Sequence, residues 1–271
     1  MRLLYCGDVL GRTGREAVQE HVPKLRESLK LDFVVVNGEN AAHGFGITAK
    51  LCEEFFAAGV DVITLGNHAW DQKEIISFID SEPRLLRPRN YPAGTPGRGA
   101  NVYSLTNGKK VLVVQVMGRL FMDPLDDPFP SVEAELSRYP LGASVQATIV
   151  DIHAEASSEK MALGHFCDGR ASLVVGSHSH IPTADAQILP KGTAYQTDAG
   201  MCGDYDSVIG MKKEPAVLKF TRKLPGEKLS PAEGPPTLCG VFVETDDRSG
   251  QAKRVEAVRM GGRLAQAIPT L

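Results

Sequence analysis

The sequence predicts an α/β fold with extra β structure in its second half. Three observations carry that expectation. Short apolar runs alternate with helix-period segments as far as residue 85, which is how strands and crossover helices are written. Beyond that point the pattern turns β-rich, with turn dipeptides between apolar runs. The chain has 271 residues, 42% of them hydrophobic, enough to bury a large core without a covalent staple.

Taken in order, Arg2 to Cys6 reads as a strand. From Gly14 to Leu29 the residues Ala17, Val18, Val22, Leu25 and Leu29 share one helical face, and Pro23 is expected to kink or interrupt that helix. Phe33 to Val36 is the second strand. Thr48 caps a helix carrying Leu51, Phe55 and Phe56, Gly59 ends it, and Val60 to Leu65 is the third strand. Asp71, followed by Glu74, reads as the N-cap and capping-box acid of the next helix. A Pro/Gly loop runs from Pro88 to Gly99. The runs Asn101 to Leu105 and Lys110 to Val116 then form a hairpin about Asn107-Gly108. With four prolines, residues 118–145 read as an irregular insertion. The runs Ala147 to Ile152 and Ala171 to Val175 follow, joined by a helix from about Ser158 to Cys167. Two final strands, Leu238 to Thr245 and Arg254 to Met260, flank the turn at Asp246 to Gly250.

A net charge of −3 provides no global basic field to draw a polyanion or an anionic membrane surface. RNA is therefore a possible partner that charge does not indicate. The first eight residues reach Asp8 after too short an apolar run for a signal peptide, and no later stretch is long enough to span a bilayer. The five cysteines at 6, 52, 167, 202 and 239 form no Cys-x-x-Cys pair. Reduced, buried thiols in a cytoplasmic protein without a membrane anchor are the expectation.

The chemistry lies after the strands. Open α/β sheets bind ligands beyond the carboxyl ends of their strands, and five such ends carry metal-binding groups. They are Gly7-Asp8-Val9, Gly38-Glu39-Asn40, Gly66-Asn67-His68, Asp151-Ile152-His153 and Gly176-Ser177-His178-Ser179-His180. Convergence of these ends would build a pocket of carboxylates, amides and imidazoles, and mixed O and N ligation without thiolate suits Fe, Mn or Zn.

This set resembles the calcineurin-like binuclear metallophosphoesterase superfamily, and within it the YmdB-like branch of cyclic-nucleotide phosphodiesterases. The resemblance covers nearly the whole chain, including Asp206-Ser207-Val208-Ile209-Gly210. It implies one metallophosphoesterase domain over residues 1–271, folded as a four-layer α/β/β/α sandwich. It also implies two metal ions per chain, with iron or manganese ahead of zinc. By the resemblance, Asp8, Glu39, Asn40 and His180 would hold one ion, and Glu39, Asn67, His153 and His178 the other, with Glu39 bridging. A carboxylate suits that bridge because it offers one oxygen to each cation. Two metals about 3.5–4 Å apart lower the pKa of a bridging water and clamp phosphoryl oxygens. His68, beside Asn67 but outside the ligand set, is the general acid for the leaving group. The chain departs from the superfamily at Leu10, which stands where a histidine ligand is usual, and at Glu39, which replaces the usual bridging aspartate.

The expected function is hydrolysis of a small phosphodiester such as a 2′,3′-cyclic nucleotide. The alternatives are a phosphomonoesterase or nuclease on the same site, and a metal-dependent nucleotide- or RNA-binding regulatory module, either of which could act as a homo-oligomer. Other residues are open. Asn40 could close a local turn instead of ligating. Asp71 could orient His68 in place of capping a helix, Glu155 could support His153, His43 could touch substrate or be solvated, and Trp70 could stack a base or simply pack.

Overall fold

The structure is a computed structural model that describes residues 1–222 and 226–271. Two sheets form its centre. The first contains β1 (Arg2–Cys6), β2 (Asp8–Val9), β3 (Phe33–Asn37), β4 (Val62–Thr64), β5 (Leu85–Leu86), β12 (Met201–Asp204), β13 (Pro236–Thr245) and β14 (Ala252–Gly261). The second contains β6 (Ala100–Ser104), β7 (Lys110–Met117), β8 (Ala147–His153), β9 (Leu173–Ser177), β10 (Gln187–Ile188) and β11 (Ala194–Gln196). The helices are α1 (Gly11–Ser28), α2 (Ala49–Ala57), α3 (Ile75–Phe78), α4 (Pro128–Arg138), α5 (Ser157–Cys167) and α6 (Lys213–Arg222).

The period of two along the strands dictates the layers. In β1 and β3, Leu3, Tyr5, Phe33 and Val35 face inward. There they pack with Val111, Val113, Ile149, Leu173 and Val175 of the second sheet. The alternate residues Leu4, Cys6, Val34 and Val36 face outward onto Val18, Val22, Leu25, Cys52 and Phe55 of α1 and α2. On the far side, Leu112, Val114, Val150, Ile152 and Val174 meet Val132 and Leu136 of α4 and Leu163 and Cys167 of α5. The outcome is the four-layer α/β/β/α sandwich. These strands are apolar on both faces because both faces are covered, as parallel strands require.

Several elements differ from the sequence expectation. Helix α1 runs unbroken through Pro23. That proline is exposed, as is Gln19 four residues back, so water can satisfy the carbonyl that loses its partner. Residues 118–145 contain α4, which has Asp127 as N-cap accepting from Phe129 N at 3.0 Å and Pro128 in its first turn. Proline there starts a helix instead of breaking one. Asp71 does not cap a helix, since α3 begins only at Ile75, and the Glu74 carboxylate accepts from Ala49 N. All five cysteines are free and buried. No helix among the described residues is long and apolar enough to cross a membrane.

Strand direction places the candidate site. β1, β3 and β4 are mutually parallel, and so are β7, β8 and β9. Within each sheet the carboxyl ends therefore lie along one edge.

Candidate metal centre

The two edges bring Asp8, Glu39, Asn40, Asn67, His153, His178 and His180 into two adjoining groups. In the first, His153 Nε2 faces Asn67 Oδ1 at 2.9 Å, Glu39 Oε1 at 3.1 Å and His178 Nδ1 at 3.1 Å. In the second, His180 Nε2 lies 3.2 Å from Asn40 Oδ1 and 4.0 Å from Asp8 Oδ1. Glu39, His153 and His178 offer ligand atoms within 4.8 Å of one another, and so do Asp8, Glu39 and His180. Glu39 belongs to both groups.

The three histidines and Asn40 are each aimed by a contact on the far side of the side chain. His153 Nδ1 lies 2.9 Å from Ser177 Oγ, which itself donates to Asp151 Oδ1 at 2.9 Å; Tyr5 OH donates to the other oxygen of Asp151 at 2.7 Å. With Nδ1–H engaged on Ser177, Nε2 keeps its lone pair for a cation. His180 Nδ1 is 2.8 Å from the Ile209 carbonyl, which leaves its Nε2 free in the same way. His178 is turned the other way round. Its Nε2 faces Glu155 at 3.2 Å and its Nδ1 points into the cluster, so Glu155 supports His178 and not His153. Asn40 donates through Nδ2 to the Gly44 carbonyl at 3.0 Å, which turns Oδ1 toward His180. Asn37 accepts from Glu39 N at 3.1 Å and donates to the Leu65 carbonyl at 3.1 Å, joining two ligand loops.

The backbone is shaped for this convergence. His178 and His180 have φ of 98° and 65°, a left-handed region that non-glycine residues enter at a cost of about 1–3 kcal/mol. Gly66 marks the closest approach. A Cβ there would collide with Glu39 Oε2 and His153 Nε2, so any other residue would fill the space where the donors meet.

Electrostatics agree with a site made for cations. Asp8 and Glu39 are buried, and Asp8 Oδ1 has no hydrogen-bond partner among the described residues. A buried carboxylate oxygen left bare is costly unless something positive meets it. Burial pushes the Asp8 carboxyl up to about 6, against the pull of His180 and His153. Burial also opposes charge on His153 and Glu39, but their mutual attraction outweighs it, raising His153 to about 9 and lowering Glu39 to about 2. Burial and the neighbouring His153 drive His178 down to about 3. Without a metal the cluster thus balances its charge by holding a proton on His153. The donor set and its bare oxygen fit divalent cations. Leu10, where the superfamily has a histidine, is wholly buried against Met201 and Met211, and the Asn40 side chain turns its Oδ1 toward His180 nearby.

His68 sits at the rim. Its backbone N–H donates to Glu39 Oε2 at 3.1 Å, its Nδ1 is 2.8 Å from Asp71 Oδ2, and its ring meets Phe45 edge-on at 5.1 Å. Asp71 therefore orients His68, where the sequence suggested a helix cap. Trp70 is partly buried and packs edge-on against Tyr91 beside the core. The orienting roles of Asp151 and Ser177, and the buried pair Lys160–Asp198, 2.8 Å apart, escaped the sequence reading. Asp198 accepts from Ser179 N at 3.0 Å and Gly200 N at 2.8 Å, so it fixes the loop that presents both histidines. A lysine at a buried position of an apolar helix face was the one available signal.

Comparison with known proteins identifies the family of the chain. The family model described as YmdB-like protein matches residues 4–258. A 2′,3′-cyclic-nucleotide 2′-phosphodiesterase of Bacillus subtilis is 48% identical over 258 residues, 95% of this chain and 96% of the relative. Among solved structures, a hypothetical protein from Thermus thermophilus superposes with a TM-score of 0.89 at 43% identity, covering 97% of this chain and all of that one. A novel phosphatase of Mycoplasma pneumoniae superposes equally well, at 0.89 and 32% identity, over 96% of this chain and 93% of its own. With the match running almost end to end, the chain belongs to the YmdB-like protein family.

Proposed function

We propose that this protein is a phosphodiesterase that uses two metal ions to hydrolyse 2′,3′-cyclic nucleotides. The observation that carries the reading is the pair of donor groups sharing Glu39, with the bare buried oxygen of Asp8 between His153 and His180. Asp8, Glu39, Asn40 and His180 would hold one ion, and Glu39, Asn67, His153 and His178 the other. When bound, such ions supply positive charge to the phosphoryl oxygens and acidify water.

The chain's own groups do the rest. Asp8 and Glu39 lie too deep to contact substrate and set the charge of the site. His68 stands at its rim, partly exposed, with Nδ1 held by Asp71; Nε2 is then the nitrogen that gives a proton to the departing alkoxide. Asp71 holds the ring in that orientation. The relative's substrate class matches such a site, because a ribose oxygen is a poor leaving group and needs that proton.

The test is turnover of adenosine 2′,3′-cyclic phosphate by wild-type, Asn67→Ala and His68→Ala proteins. Chelation should abolish activity in the wild type, and Mn²⁺ or Fe²⁺ should restore it. Adenosine monophosphates and a short RNA, run in parallel, separate a monoesterase or a nuclease from a cyclic phosphodiesterase. Full activity in metal-free protein would contradict the proposal, and so would binding of the cyclic nucleotide without turnover sensitive to either substitution.

A further inference from the structure

Next to His68 lies a cavity of about 750 Å³ that the metal centre does not use. Arg12, His43, Phe45, Gln72, Lys212 and Lys228 are among its lining residues. Its size falls in the range of small-molecule sites, roughly 300–1,000 Å³. Two features join it to the centre. Asp71, which holds His68, is part of its wall. The turn whose Ile209 carbonyl fixes His180 runs directly on to Lys212, and Met211 bridges to Pro231 on the opposite wall. The floor is braced as well, since Gln72 Nε2 donates to the Phe45 carbonyl at 2.8 Å.

The charge in this cavity runs against that of the protein. The chain as a whole carries −3, yet Arg12, Lys212 and Lys228 converge here with Glu233 and Asp71 as the acidic wall residues. Asp71 is engaged with His68, and Arg12 shares its charge with Glu16 at 3.0 Å. The adjacent Lys213 is taken by Asp206 at 2.9 Å. Lys212 and Lys228 are exposed and form no ion pair among the described residues. Ammonium groups that no carboxylate has paired favour a phosphate oxyanion.

We propose that this cavity receives the nucleoside part of the substrate, and that Lys212 and Lys228, with Arg12, bind a phosphate on its 5′ oxygen. The inference rests on the phosphodiesterase reading for its direction, because the group that His68 protonates must lie on the His68 side. In the reaction the bond from phosphorus to the ribose 2′ oxygen breaks and a bond from a water oxygen to phosphorus forms. The His68 proton goes to the 2′ oxygen, the water releases a proton to solvent, and the product is a nucleoside 3′-phosphate. The rest of the nucleoside then extends from His68 past Phe45 toward the lysines. A substrate with a 5′ phosphate reaches them, whereas one with a 5′ hydroxyl does not.

Two measurements on metal-loaded, full-length protein test this. The first compares kcat/KM for adenosine 2′,3′-cyclic phosphate, its 5′-phosphorylated form and a dinucleotide ending in the cyclic phosphate. The phosphate-bearing substrates should be favoured about tenfold, and the ratio should fall toward one in Lys212→Ala/Lys228→Ala but persist in Lys212→Arg/Lys228→Arg. Preference for the 5′-phosphorylated mononucleotide alone would identify a terminal phosphate as the ligand. Preference shared by the dinucleotide would identify an internal linkage, and either supports the site. The second measures calorimetric Kd values for adenosine 3′,5′-bisphosphate and adenosine 3′-phosphate. Equal Kd values, or a gap that the double alanine variant preserves, would overturn the subsite whatever the turnover. A gap that the variant closes, in protein that hydrolyses none of the three substrates, would overturn the catalytic reading and leave the subsite standing.

Discussion

Single side chains here act through what holds them. His68 is the clearest case, because in the proposed reaction its proton would matter only when the leaving group is poor. Replacing it by alanine should slow an alkyl or ribose diester by about 10²–10⁴-fold, while a p-nitrophenyl ester changes little; equal losses on both would show a structural role. Asp71→Asn should reproduce the same selectivity with a smaller loss. The Lys160–Asp198 pair is wholly buried. Lys160→Met strands a carboxylate among the donors that fix Ser179 and Gly200, and should cost about 3–5 kcal/mol in urea unfolding. Lys160→Met/Asp198→Asn should recover part of that loss, and no recovery would mean that the lysine serves packing alone. Gly66→Ala should leave the fold intact by circular dichroism and lower metal content, since its Cβ would intrude on Glu39 and His153.

At the scale of elements, what the sequence disclosed depended on how local the cause was. The strand ends bearing Asp8, Glu39, Asn67, His153 and His178 were legible because apolar runs flank them and glycine precedes four of the five motifs. The short strands β2, β5, β10 and β11 were not, because two or three residues have no period and form only against a partner. The α4 helix hid behind prolines that sit in its first turn. The groups that orient the histidines were illegible for a different reason. Asp151 and Ser177 sit inside or at the end of apolar runs, and their purpose appears only when β8 and β9 lie side by side. The segment after His180 follows the same rule. Asp185 is partly buried, which would raise its carboxyl, but bonds from Thr183 and Thr197 outweigh burial and hold it below 3.8. A depressed carboxyl stabilises the folded state above its unfolded pKa and loses that contribution as pH falls through the folded value. Asp185→Asn should therefore lower Tm at pH 6, with the difference closing as the pH drops below 3.8. A Tm gap that stays constant with pH would rule out the ionised carboxylate as its source.

For the molecule as a whole, two sheets with parallel central strands place their carboxyl ends along neighbouring edges, and the ligands divide between them. Asp8, Glu39, Asn40 and Asn67 come from the first sheet, and His153, His178 and His180 from the second. Neither sheet carries the whole proposed ligand set, so metal binding would couple them. Metal-loaded protein should consequently unfold at a higher temperature than chelated protein, because a ligand that binds only the folded state stabilises it. Glu39 is the residue common to both groups, and the central claim is that it joins two ions. The most direct measurement is metal content per chain by mass spectrometry after loading with Mn²⁺ and desalting. Two ions are expected in the wild type and fewer than one in Glu39→Ala, whereas a single ion in the wild type, or two in the variant, would show that Glu39 joins no pair.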